Sequence, residues 1–301
     1  MQLGKRIKGW QKSCRKKLYE MYWRKLKTAS SYVCLADNSN YYVINANDSH
    51  LGVKLLMGSE HLDSKICRFL DWCNSETSVF DERRSLVINV GANIGTMITP
   101  LITNGYFLRG LAFEPEPQNF RLLCTNLALN ELDNNVLTYC MALSNVAGAQ
   151  QMYLSKKNHG AHTILSESGK LSARDNRHDF SDHSIEVHTT TLDKFIKDTF
   201  PSALTDAGLL VVDIEGHEGF FLQGAERFLN ETKIPILIEF APDSLRNRGC
   251  LNNFLEILEK YYSKVVIDPL KNTGGEYMIE SIEKVRALSG SRYVHDLFIF
   301  N

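Results

Sequence analysis

The chain has 301 residues, 44% of them apolar and 23% charged, with a formal net charge of −1. That is enough for one large domain with additions and a substantial core, and the balance exerts no global pull toward nucleic acid or an acidic partner. The seven cysteines (Cys14, Cys34, Cys67, Cys73, Cys124, Cys140 and Cys250) are odd in number and form no C-x-x-C pair. This argues against a disulfide framework and a cysteine-ligated zinc. No run reaches the ~18 apolar residues of a membrane span, and no apolar stretch with a cleavage site follows the basic first residues. The expected location is the cytoplasm.

Residues 1–30 form the first predicted unit. Ten basic residues (Lys5, Arg6, Lys8, Lys12, Arg15, Lys16, Lys17, Arg24, Lys25 and Lys27) face one acid, Glu20. Leu3, Ile7, Trp10, Cys14, Leu18 and Met21 recur at three- and four-residue steps, so the spacing predicts a basic amphipathic helical extension. Such a helix docks on its own domain or a partner, or makes peripheral contact with an anionic membrane. Residues 31–84 read as a lead-in packing on the core. It has two short strands, Tyr41–Ile44 and Val53–Met57, around a turn at 45–52, and then a helix from Leu62 capped by Asp63 or Ser64.

From residue 85 strands alternate with helices. Strands are predicted at Leu86–Val90, Leu111–Phe113, Val136–Met141, Leu209–Asp213, Ile236–Phe240, Lys264–Ile267 and Asp296–Phe300. Helices fall at Thr96–Asn104, Gln118–Asn130, Glu218–Leu229 and Asn252–Tyr262. Gln151–Leu154 and Ile185–Thr190 suggest an added strand pair. This order implies an α/β, doubly wound, Rossmann-like and mainly parallel sheet over 85–301. The polar stretch 155–184 reads as a lid or binding loop. Its histidines His159, His162, His178 and His183 match no zinc spacing.

LVINVGANIG (86–95) is a strand entering a glycine loop and a helix. Gly91 permits a sharp turn and Gly95 a close approach, and the helix start offers free N–H groups. Glu114 ends the next strand 19 residues after Gly95, where a carboxylate can accept both hydroxyl protons of a ribose. Together these features point to a nucleoside site. The three-glycine dinucleotide pattern is absent, which counts against a nicotinamide-dependent oxidoreductase, the main enzymatic alternative. VVDIEGHEGFFLQGA (211–225) then sets Asp213, Glu215, His217 and Glu218 at another strand's C-terminal end, the edge where open α/β sheets bind ligands.

With those pieces in place the chain resembles the FkbM family of methyltransferases. The resemblance rests on VINVGANIG (87–95), AFEPEPQNFRLLCTNLALN (112–130), MALSN (141–145), TTLDKF (190–195), DIEGHEGFFLQGA (213–225), ILIEFAP (236–242) and DLFIF (296–300). It implies a class I methyltransferase sheet of seven strands, the last antiparallel, and S-adenosylmethionine as cofactor. Gly91, Ala92, Asn93 and Gly95 would then line the cofactor, Glu114 would hold its ribose, and Ala142 and Leu143 would flank the adenine. Asn89 stands where the family usually carries Asp; its amide can bond the cofactor's charged end without a negative charge. Val211 replaces a frequent lysine.

The implied reaction is O-methylation of a sugar, glycan or secondary-metabolite hydroxyl. His217 is the first choice for the base, since its unperturbed pKa lies near neutrality; Asp213 and Glu215 are alternatives, and Asp213 also borders the cofactor. Asn158, His159, Gly160 and His162 are candidates for acceptor contacts, with Glu218 and Glu239 beside them. Asp213, Glu215, Glu218 and Glu239 are oxygen donors at one edge that a divalent ion can use, but their geometry is not fixed by sequence and no metal is predicted. No base-binding motif indicates a nucleic-acid substrate. A non-catalytic, membrane-docked nucleoside-binding module is the other alternative.

Overall fold

The computed structural model describes residues 2–57, 62–80, 85–155, 158–165, 180–271 and 276–301, without the side chains of 2–13, 62–64 and 180–183. The chain begins with helix α1 (Gln2–Ala29), hairpin β1 (Tyr32–Asp37) and β2 (Asn40–Asn45), and helices α2 (Ser49–Met57) and α3 (Leu62–Glu76). Next come β3 (Leu86–Val90), α4 (Ile98–Thr103), β4 (Arg109–Phe113), α5 (Pro117–Leu129), β5 (Val136–Tyr139) and β6 (Ala142–Leu143). β7 (Gly148–Ser155), β8 (Thr163–Ile164) and β9 (Phe180–Thr190) precede α6 (Leu192–Asp198) and α7 (Ala203–Asp206). The remainder is β10 (Ala207–Val212), α8 (Glu218–Gly224), α9 (Glu226–Thr232), β11 (Ile236–Phe240), α10 (Pro242–Asn247), α11 (Leu251–Tyr261), β12 (Lys264–Ile267), β13 (Glu280–Ser281), α12 (Glu283–Ala287) and β14 (His295–Phe300).

The main sheet runs β13-β12-β14-β11-β10-β3-β4-β5. β5, β4, β3, β10 and β11 are mutually parallel, and β14 is antiparallel to both neighbours. The seven expected strands are joined at one edge by the two-residue β13. Uninterrupted apolar strands are what a sheet covered on both faces requires. Ile88, Leu210 and Ile238 pack on one face with Phe221, Phe228 and Phe254. Val87, Val211 and Leu237 pack on the other with Phe69, Leu101 and Phe298. β3 pairs with β4 on one side and β10 on the other, so the crevice above its C-terminal end is the switch point where such sheets receive ligands.

Three local predictions give way. Val53–Met57 is helical, not a strand: Asp48 Oδ1 accepts the His50 and Leu51 N–H groups and starts α2, as a helix N-terminus needs. The helix expected over Glu218–Leu229 is interrupted at Ala225. Gly224 there lies against the Ser144 carbonyl, where a side chain would collide. The strand expected over Val136–Met141 ends at Tyr139, and Ala142–Leu143 joins a separate four-stranded sheet, β6-β9-β7-β8. The added strand pair belongs to that sheet, with β7 antiparallel to β9. Asp63 and Ser64 as caps, His178, and the side chain of His183 lie outside the described residues.

The lead-in is fastened to α5 by two asparagines one helical turn apart. Asn126 Oδ1 accepts the Val43 N–H, and its Nδ2 donates to the Val43 and Ile94 carbonyls. Asn130 pairs likewise with the N–H and carbonyl of Tyr41. The amides complete the edge of β2 as a neighbouring strand would. Trp23, Tyr42, Ile44, Ile94 and Leu122 form one small core across this junction.

Candidate active site

A cavity opens above β3, lined by Val90, Gly91, Asn93, Phe113, Glu114 and Pro115 from the first two strand ends. Asn119 comes from α5, and Met141, Ala142 and Leu143 from the connection after β5. Met152, His159, Gly160, His162 and Ile164 of the small sheet form another wall, with Asp213, Ile214, Glu215 and His217 after β10.

The glycine loop is shaped by backbone demands. Gly91 has φ +77°, and a Cβ there would run into the Asp213 carbonyl. Its N–H and that of Ala92 donate to the Phe113 carbonyl, which closes the bend onto β4. Asn93 takes a left-handed φ of +51°. Its N–H donates to Glu114 Oε2 at 2.9 Å, and the Glu116 N–H donates to Oε1 at 3.0 Å. Glu114 is buried, and burial pushes its carboxyl up to about 7, against the N–H bonds from Glu116 and Asn93. Glu116 caps α5, accepting the Asn119 N–H at 2.7 Å. Asn119 Nδ2 donates to the His159 carbonyl at 2.9 Å and so ties the small sheet across the cavity.

The loop after β10 is equally constrained. Glu215 has φ +54°, and its carbonyl accepts from Thr163 Oγ1, which in turn accepts from Arg248 Nη2 at 2.8 Å. Gly216, at φ +92°, leaves room for the buried Arg248 guanidinium. Glu218 Oε1 accepts the N–H groups of Ile214 and Gly216. His217 is only 4% exposed, and its Nε2 lies 2.9 Å from Ser144 Oγ. Burial and then the Arg248 charge hold its imidazole down to about 4, so it is neutral at pH 7. His162 is likewise held down to about 3, mainly by burial, with the Ser155 N–H donating to its Nδ1.

The sequence candidates therefore separate. Gly91, Asn93, Glu114, Ala142, Leu143, Asp213, Glu215, His217, His159, Gly160 and His162 share the cavity wall. Asn89, Ala92, Gly95, Asn158, Glu218 and Glu239 are not on it. Asn89 is buried on the opposite sheet face, in register with Ala112 and Val211, and neither of its side-chain polar atoms has a hydrogen bond. Asn158 Oδ1 instead accepts the Gly160 N–H and shapes the turn that presents His159. Asp213, Glu218 and Glu239 bring carboxylate oxygens within 4.8 Å of one another, a spacing that suits a divalent ion or a cationic group. Sequence reading missed Asn119, Ser144, Thr163 and Arg248. Asn119 and Ser144 lie within the quoted pieces 112–130 and 141–145, and Thr163 ends the loop segment that starts at Asn158, but none of the three was given a role; Arg248 meets the site only through folding.

The residues present fit an adenosyl sulfonium. Apolar Phe113, Pro115, Met141, Leu143, Met152 and Ile164 suit a purine, and Glu114 suits the ribose diol. Asn93 Oδ1 and Asn119 Oδ1 are buried acceptors without hydrogen bonds, available to ligand donors. A family model described as the methyltransferase FkbM domain matches residues 89–264. Methyltransferase sdnD of Sordaria araneosa is 25% identical over 227 residues, 70% of this chain and 82% of that protein. The crystal structure of methyltransferase FkbM from Methylobacillus flagellatus KT aligns at 14% identity and a TM-score of 0.44; the match covers 92% of this chain but only 58% of that one. That of M. jannaschii TYW2 in complex with AdoMet aligns at 14% identity and a TM-score of 0.42, over 90% and 88% of the two chains. With the family model spanning more than half of its length, the chain belongs to the FkbM methyltransferase family and is an S-adenosylmethionine-dependent methyltransferase.

Proposed function

We propose that the enzyme methylates a hydroxyl oxygen of a sugar, glycan or secondary metabolite, with Asp213 as the group that takes the hydroxyl proton. The observation carrying this reading is the position of Asp213. It is exposed, it lines the nucleoside cavity, and it belongs to the carboxylate cluster beside that cavity.

Bound S-adenosylmethionine supplies an electrophilic methyl on a sulfonium that is already a good leaving group. The protein's part is alignment and proton removal. With that cofactor bound, the methyl would pass from sulfur to the acceptor oxygen, leaving the neutral thioether, and the Asp213 carboxylate would take the hydroxyl proton. His217 is neutral and tied to Ser144, so its role here is to position the loop carrying Asp213 and Glu215. Glu114 and Asn93 would hold the ribose end, and His159, Gly160 and His162, on the same cavity wall, would meet the acceptor. No metal is included, because a sulfonium needs no Lewis acid to depart. The basic segment 1–30 adds a peripheral contact with an anionic membrane on the cytoplasmic side. None of the helices searched among the described residues is long and apolar enough to cross a bilayer.

The test is incubation with methyl-labelled S-adenosylmethionine and fractionated extract. The expected product is label in a glycan, lipid or small-metabolite pool as an alkali-stable methyl ether. Label confined to nucleic acid, amines or base-labile esters would overturn the hydroxyl assignment. Cofactor binding without label in any pool would favour the non-catalytic alternative.

A further inference from the structure

α1 has two apolar sides, and the fold uses only one. At about 100° per residue, Tyr19, Trp23 and Leu26 share one side. Trp23 is 1% exposed, its Nε1 donates to the Ala46 carbonyl, and Tyr19 and Leu26 pack into the same small core. Gly52 of α2 has no room for a side chain beneath the Trp23 ring. Cys14, Leu18, Met21 and Tyr22 fall on a different side. Leu18, Met21 and Tyr22 are 47%, 50% and 53% exposed. In the sequence the three- and four-residue spacing of that second stripe continues back through Leu3, Ile7 and Trp10. The stripe that makes the segment amphipathic is therefore not the one that docks it.

The flanks of the outward stripe are cationic. Arg15 borders one side, Lys17 and Arg24 the other, and Lys25 lies within it, all exposed. Residues 1–30 hold ten of the 34 basic residues and one of the 35 acidic ones, so the rest of the chain is net negative by ten. An exposed apolar ridge between cations matches the boundary between anionic headgroups and acyl chains. A nucleic-acid backbone would use the cations and leave Leu18 and Met21 without a role.

The helix also lies close to the reaction. α1 packs on α2, and Trp23 of α1 shares one small core with Ile94 of the glycine loop. Through that core the helix is joined to the loop whose Gly91 and Asn93 line the cavity. We propose that α1 lies in the surface of an anionic bilayer through Leu18, Met21 and Tyr22, and that the acceptor is an amphiphile presenting its hydroxyl at headgroup depth. The second half of this inference rests on the hydroxyl-methylation reading.

The 301-residue chain is sedimented with vesicles of phosphatidylcholine alone, or with 30% phosphatidylserine (about a third anionic lipid, as in an acidic leaflet), and is titrated with polyuridylate. Binding is expected to the anionic vesicles only. It should fall at least tenfold in L18E/M21E and in K17E/R24E, while affinity for S-adenosylhomocysteine stays unchanged as the check on folding. Anionic-vesicle binding that is absent or survives L18E/M21E, or binding to polyuridylate in its place, overturns the docking. With docking intact, label in the organic-extractable pool supports the amphiphilic acceptor. Label only in alkali-stable methyl ethers of the aqueous glycan or small-metabolite pool overturns it but leaves hydroxyl methylation standing, whereas no label in any pool overturns hydroxyl methylation itself.

Discussion

The two halves of the sheet's C-terminal edge are built from different materials. Above β3, β4 and β5 the wall is apolar apart from Asn93, Asn119 and Glu114, and the Glu114 oxygens are each met by a backbone N–H. Above β10, β11 and β14 carboxylates accumulate: Asp213, Glu218 and Glu239 stand together, and Asp296 pairs with Glu239 in register. Burial, then the Glu239 charge, pushes the Glu218 carboxyl up to about 7, and burial likewise raises Asp296. The first half can grip a flat, largely uncharged nucleoside by excluding water. The second keeps proton acceptors beside it, and Asp213 borders both.

If that division is right, damage to each half should appear in a different measurement. The largest effect is expected from Asp213→Asn, with methyl transfer falling about a thousandfold and affinity for S-adenosylhomocysteine within threefold. A parallel loss of affinity in calorimetry would move Asp213 into the nucleoside half. Gly91→Ala should cost affinity as well as transfer, because the bend rests on Asp213. Its methyl collides with the Asp213 carbonyl at a φ of +77°, and affinity should drop about a hundredfold by displacement of the loop; binding within threefold of wild type would show that the bend does not shape the pocket.

A gentler probe is pH. Glu114 in the unliganded protein titrates at about 7, and a ribose diol needs the ionised form as acceptor. S-adenosylhomocysteine should therefore bind about tenfold more tightly at pH 8 than at pH 6, and Glu114→Gln should flatten that slope. The sign for stability is opposite. A folded-state pKa above the unfolded value means that the stability contributed by protonated Glu114 is fully present below about 4.5 and is lost as pH rises through 7. Glu114→Gln should then raise the unfolding midpoint of the unliganded protein more at pH 8 than at pH 5. A steeper affinity profile in the variant would reject this account.

The nucleoside half was legible in the sequence because its chemistry is local. A glycine bend and a strand-end acid are short motifs with fixed geometric roles, and Gly91, Asn93 and Glu114 share one wall. The partners of the β10 loop were not legible. Arg248 and Thr163 lie 85 residues apart and meet only through packing, and His217 gave no sign that folding would bury it against Ser144. The lead-in was misread at Val53–Met57 because four apolar residues around Lys54 are too short a run to separate strand from helix. The Asp48 cap decides for the helix, and Trp23 then settles on Gly52.

The amide clasp from α5 to β2 has a practical consequence for anyone trimming the enzyme. A fragment starting near residue 85 looks natural on motif grounds. It would strip Asn126 of two of its three side-chain bonds and Asn130 of both its bonds to Tyr41. Ile94 and Leu122 would become an apolar scar once Trp23, Tyr42 and Ile44 are gone. Such a fragment would precipitate or self-associate through that scar, and its silence in an assay would say nothing about catalysis.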